Sequence, residues 1–95
     1  MMENNQYRIR ALARSKAGHD KGDVFVVAGE REERVLLADG KGRTLKNPKA
    51  KNPAHVQLIT RFSEELAEQI RRISSDDDVR RILKQYKQEE THVKE

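Results

Sequence analysis

The hydrophobic positions of this chain change rhythm once. Up to Arg61 the apolar residues fall in short runs broken by glycine, proline, asparagine and charge; from Phe62 onward they recur at helical spacing. Tyr7, Ile9, Ala11 and Ala13 alternate with Arg8, Arg10, Leu12 and Arg14. That is the period of a strand with one buried face and a mostly basic outer face. Val24-Phe25-Val26-Val27-Ala28 is apolar on both faces and rich in β-branched residues, which predicts a central strand. A charged turn from Gly29 to Glu33 leads into Val35-Leu36-Leu37-Ala38, the next strand, which stops at Asp39-Gly40. Thr44-Leu45 offers a further short strand, and Val56, Leu58 and Ile59 a last one. Short, closely spaced strands with turn residues between them predict a small barrel over residues 6–60, whose closure would remove exposed strand edges.

Phe62, Leu66, Ile70 and Ile73 predict a helix, with Ser63 as its N-cap and Glu64 and Glu65 at its positive end. A second helix restarts at Ser74-Ser75-Asp76-Asp77-Asp78, where Ser75 and Asp78 have the spacing of a capping pair. Val79, Ile82, Leu83 and Tyr86 then form one apolar stripe. The stripe most simply packs on its own domain; docking a protein partner through the C-terminal helices is the alternative. From Gln88 the tail is polar and expected to fray. The expected organisation is mainly β: a barrel over 6–60, a helical appendage over 61–88, and flexible ends at 1–5 and 89–95.

Charged residues (38%) outnumber hydrophobic ones (35%), so any core is thin. With no cysteine there is neither a disulfide framework nor a thiolate metal site. No apolar run approaches the roughly 18 residues of a membrane span. Met1-Met2-Glu3-Asn4-Asn5 lacks the order of a signal peptide, so a cytoplasmic location is expected. The net charge of +4 divides unevenly. Residues 1–62 hold 13 Lys and Arg against 7 Asp and Glu, whereas residues 63–95 hold 7 against 9. A basic first part fits a polyanion partner, because neutralised phosphates release counterions.

His19, His55 and His92 have no metal-ligand spacing, and the acidic run Asp76 to Asp78 reads as helix-start electrostatics. Gly40-Lys41-Gly42-Arg43-Thr44 carries a scrap of a phosphate loop but lacks the first glycine and the following helix. No nucleophile–base pair and no cofactor loop emerge, so neither catalysis nor a cofactor is expected. The aromatics Tyr7, Phe25, Phe62 and Tyr86 form no stacking pair, which favours backbone and shape recognition of folded RNA over base reading.

Gly18-His19-Asp20-Lys21-Gly22 is a G-x-x-K-G turn between two strands. Its glycines suit positive φ, and such turns let backbone N–H groups cradle anions, although they also make ordinary hairpins. The turn resembles the heart of the KOW motif of ribosomal proteins and transcription elongation factors. Val27 stands where that motif has an aliphatic residue, and Arg34-Val35-Leu36-Leu37 where its second strand closes. Phe25 replaces a third glycine common in the general motif. The longer string from Arg14 to Gly22, then Phe25-Val26-Val27, Leu37-Ala38-Asp39-Gly40, Leu45-Lys46-Asn47-Pro48-Lys49 and His55-Val56, is similar to bacterial KOW-domain RNA-binding proteins of the large-subunit ribosomal protein L-fourteen-e type.

That resemblance implies a five-stranded SH3-like barrel that touches RNA with its loops, in association with the ribosome or translation. The residues agree with it. Lys16 and Lys21 flank the turn, and Lys41, Arg43, Lys46, Lys49 and Lys51 follow in a segment free of acidic residues and bounded by Pro53. The expected RNA contacts are Arg14, Lys16, Gly18, His19, Lys21, Gly22, Arg43, Lys46, Lys49 and Lys51. A protein-binding adaptor and a nonspecific nucleic-acid binder are the competing readings.

Overall fold

Leu12 and Ala13 are neighbours in the chain, point to opposite sides of one strand, and are both fully buried. A strand can bury consecutive residues only where its sheet is covered on both faces, and the rest of the fold follows from that. The computed structural model describes residues 9–93. The strand positions assigned to Tyr7 and Arg8 and the flexible segment 1–5 lie outside the described residues.

Five strands form one antiparallel sheet: β1 (Leu12–Ser15), β2 (Val24–Arg31), β3 (Arg34–Ala38), β4 (Lys49–Lys51) and β5 (Val56–Ile59). Their order is β4-β3-β2-β1-β5. The cross-strand pairs Leu12 with Ile59, Leu12 with Val26, and Val26 with Ala38 place one apolar row on the first face. Two helices, α1 (Glu64–Arg71) and α2 (Asp76–Val93), cover that face. Leu66, Ile70, Ile73, Val79, Ile82 and Leu83 pack there with Ile9, Leu12, Val24, Val26, Ala38 and Leu45. On the second face Ala13, Phe25, Val35 and Leu37 form a smaller core, with Val27 and Val56 against it.

This arrangement corrects the sequence reading at several points. Leu12 belongs to the larger core, not to a basic outer face, because the helices roof the side on which it lies. The fourth strand is Lys49–Lys51 rather than Thr44-Leu45; Leu45 is instead buried under the helices. Gly29 to Arg31 continue β2, and the reversal tightens to Glu32 and Glu33 alone. Strand and helix hold similar shares of the described chain, so it is mixed α and β rather than mainly β. Among the described residues no pairing joins the outer strands β4 and β5. Pro53, in the 3₁₀ turn Pro53–His55 between them, has no N–H to donate.

The helices start as their sequence dictates. The Ser63 hydroxyl accepts from Leu66 N–H at 3.1 Å. The Ser75 hydroxyl accepts from Asp78 N–H at 3.3 Å, and the Asp78 carboxylate accepts from Ser74 N–H at 2.9 Å. That backbone bond is the main cause holding the Asp78 carboxyl below its ordinary pKa, with Arg81 assisting. The apolar stripe of α2 is spent on the chain's own core. The helix also runs past Gln88, where fraying was expected. Ser63 donates to the Glu89 carboxylate at 3.0 Å and Arg14 pairs with Glu90, so two partners hold that stretch. Among the described residues no helix is long and apolar enough to cross a membrane.

Gly40 is where the loop after β3 meets the start of α2. Its φ is +80°, and a Cβ there would lie 2.7 Å from the Asp76 carbonyl oxygen. Gly40→Ala therefore combines left-handed strain with a backbone clash and should lower the unfolding free energy by about 3 kcal/mol. Gly42→Ala, with open space around it, should change it by less than about 0.5 kcal/mol. Urea denaturation of the two variants checks both. Glu32 and Glu33 hold φ of 51° and 66°, a two-residue turn better suited to Asn-Gly. The double change Glu32→Asn, Glu33→Gly should raise stability by about 1 kcal/mol in the same assay.

Candidate nucleic-acid interface

The turn between β1 and β2 is closed by its own backbone. Gly22 N–H donates to the Ser15 carbonyl at 2.8 Å and Ser15 N–H to the Asp23 carbonyl at 2.9 Å. Inside it, Lys21 N–H donates to Gly18 and Asp23 N–H to Asp20, two overlapping tight turns. Gly18 and Gly22 have φ of +89° and +92°, which explains the glycine at both ends of the five-residue string. Among the described residues the N–H groups of Gly18 and His19 have no acceptor, which leaves them free to meet an anion.

Asp20 ties this turn to the far side of the sheet. Its Oδ1 accepts from Lys51 Nζ at 2.7 Å and from the Ser15 hydroxyl at 2.6 Å, and its Oδ2 from Lys49 Nζ at 2.8 Å. Lys51 Nζ also donates to the Ala17 carbonyl at 2.8 Å. Lys49 and Lys51 pair in register with Leu37 and Val35, so they share the face of the smaller core. The turn thus folds over that core and is fastened to β4. Burial alone would raise the Asp20 carboxyl pKa; the bonds from Lys49, Lys51 and Ser15 outweigh it and hold the group far below the ordinary carboxylate range.

The residues expected to touch RNA therefore fall into two sets. Arg14, Lys49 and Lys51 are engaged by the protein itself. Arg14 lies on the helix side of the sheet, where its guanidinium donates to the Gly22 carbonyl at 3.0 Å and pairs with Glu90 of α2. Lys51 is only 9% exposed at its side chain. The segment expected to be a basic loop is, at Lys49 and Lys51, a strand whose two ammonium groups share the Asp20 carboxylate. Lys16, His19 and Lys21 are exposed on the turn, Gly18 and Gly22 shape it, and Arg43 and Lys46 are exposed on the loop that leads into β4. That loop is itself ordered, since the Asp39 carboxylate accepts from Lys41 and Arg43 N–H groups and Leu45 N–H donates to Asp76.

A cleft of about 420 Å³ opens beside the turn, between the start of β2 and α2. Lys41, Arg80, Lys84 and Lys87 line it. The charge count of the sequence conceals its three helical members, because the segment after Phe62 is net acidic. The readable signal was the i, i+4, i+7 spacing of Arg80, Lys84 and Lys87 beside the apolar stripe. No protein-family model and no curated protein matches this chain.

Asp20→Asn removes the one carboxylate that Lys49 and Lys51 share and should cost about 3 kcal/mol of stability. Because the folded pKa of Asp20 is depressed, its contribution is complete above the unfolded carboxylate pKa of about 4 and is lost as pH falls below that value. The wild-type thermal midpoint should therefore carry a component that declines between about pH 4 and 2 and that Asp20→Asn lacks. Calorimetry over that range checks it.

Proposed function

We propose that the protein is a non-catalytic binder of structured RNA, acting with the ribosome or translation, and that its sheet is a KOW-type SH3-like barrel. The observation that carries this reading is the built turn. Two left-handed glycines, unpartnered N–H groups and three exposed basic side chains sit on a loop that Asp20 fastens to β4. A preorganised cationic loop loses little entropy on docking, and phosphate is the anion that such N–H groups and lysines fit together. Two features support the barrel. The bulge between Val27 and Gly29 bends β2 between its two partners, and the turn reaches β4 across the smaller core. The resemblance to KOW-domain proteins supplies RNA, and ribosomal RNA in particular, as the polyanion.

The contact set becomes Lys16, His19, Lys21, Arg43 and Lys46, with Gly18 and Gly22 setting the backbone. Arg14, Lys49 and Lys51 serve as positioning residues. The adaptor reading has one observation in its favour: Leu58, on outer strand β5, is 58% exposed. A single exposed leucine is ordinary for a small protein surface, so RNA remains the better reading.

Titration against fragments of ribosomal RNA at several salt concentrations tests the proposal. With about four phosphates neutralised, the log–log slope of affinity against salt should lie near −3 to −4. Lys21→Ala should flatten it by a little under one unit without altering sequence preference. Salt-independent affinity would remove phosphate-led binding. Equal affinity for duplex DNA would leave a nonspecific nucleic-acid binder.

A further inference from the structure

Lys84 and Lys87 belong to the net-acidic segment after Phe62, yet the fold sets them beside the basic turn. Asp23 follows Gly22 directly and lines the same cleft as Lys41, Arg80, Lys84 and Lys87. Arg14 fixes this proximity. It lies on β1, donates to the Gly22 carbonyl and pairs with Glu90 of α2, so the C-terminal half of the helix is held against the turn.

The cations of the cleft differ in what they already do. Arg80 is committed, donating to the Gly40 carbonyl and pairing with Asp77. Lys41 and Lys84 are exposed and have no side-chain acceptor among the described residues. Of the two carboxylates in the lining, Asp39 is spent on the N–H groups of its own loop, leaving Asp23. The cleft therefore carries an excess of positive charge over a short apolar floor of Val24 and Leu83.

We infer that this cleft is a second phosphate-binding element, in which Lys41 and Lys84 hold the backbone of the same RNA strand after it leaves the β1–β2 turn. The inference rests on the RNA-binding reading and extends it from one loop to a continuous track that crosses onto α2. Two groups of cations on separate elements, locked by Arg14 and Glu90, fix the direction of the strand as well as its affinity. Neither group alone does that. The track also gives the helices a share of the binding surface while their apolar stripe stays in the core.

The test uses the full chain and a structured ribosomal RNA hairpin, followed by fluorescence anisotropy at several salt concentrations. Four proteins are compared: wild type, Lys21→Ala, the double variant Lys41→Ala with Lys84→Ala, and Lys84→Arg. Both lysines are exposed, so the double variant should melt with the wild type. Its log–log salt slope should be shallower than wild type by about 1.5 units, the loss of two phosphate contacts, while Lys84→Arg keeps the wild-type slope. An unchanged slope in the double variant, with Lys21→Ala still flattening its own, overturns the cleft and leaves the turn. Polyglutamate competing as well as RNA at equal charge also overturns it, marking a general polyanion surface. If neither the double variant nor Lys21→Ala alters binding, the RNA reading falls and this inference with it.

Discussion

The Asp20 carboxylate is the contact on which the shape of this protein turns. A carboxylate taken out of water is costly unless its oxygens are bonded and its charge is balanced. Here two lysines and a serine meet that requirement, and they come from β4 and β1. One side chain in a five-residue turn therefore fastens an outer strand of the sheet, roofs the smaller core, and holds the glycine turn in place. The smaller core has only four buried members, too few to exclude water by themselves. A polar clamp completes what apolar burial begins.

The two faces of the sheet are stabilised by different means. The helix-covered face relies on burial of a dozen apolar side chains, at about 25 cal/mol per Å² removed from water. The other face relies on geometry: ion pairs at hydrogen-bond distance and partly shielded from solvent, hence less screened than surface pairs. This division sorts the basic residues. Those with protein acceptors shape the surface, and those without stay exposed to solvent. A count of Lys and Arg along the chain mixes the two populations.

Much of the fold was legible in the sequence. β2 and β3 announced themselves through β-branched runs, α1 through Ser63 and its apolar period, and the positive φ of Gly18 and Gly22 through glycine itself. What was hidden depended on distant partners. Lys49-Ala50-Lys51 has no strand propensity and reads as loop, yet it pairs with β3 and meets a carboxylate 31 residues away. Leu12 looked outward because an eight-residue alternation cannot reveal a roof of helices that comes fifty residues later. Arg14, Lys49 and Lys51 were read as open cations, with Lys49 and Lys51 on a loop apart from the turn, because residue type does not disclose whether a cation already has a protein partner. Lys84 and Lys87 were masked by the acids that share their segment.

The loop between β3 and β4 has its anchors on the helix rather than on the sheet. Gly40 lies against Asp76 and Arg80, and Leu45 N–H ends on the Asp76 carboxylate while its side chain sits under the helices. Fluctuations that lift the first turn of α2 must release this loop at the same moment, so the two segments form one cooperative opening unit. Amide protons of Leu45 and of the first turn of α2 should therefore exchange together, apart from those of β1 and β2. Arg43 and Lys46 are thus held in place together by the start of a helix some thirty residues further along the chain.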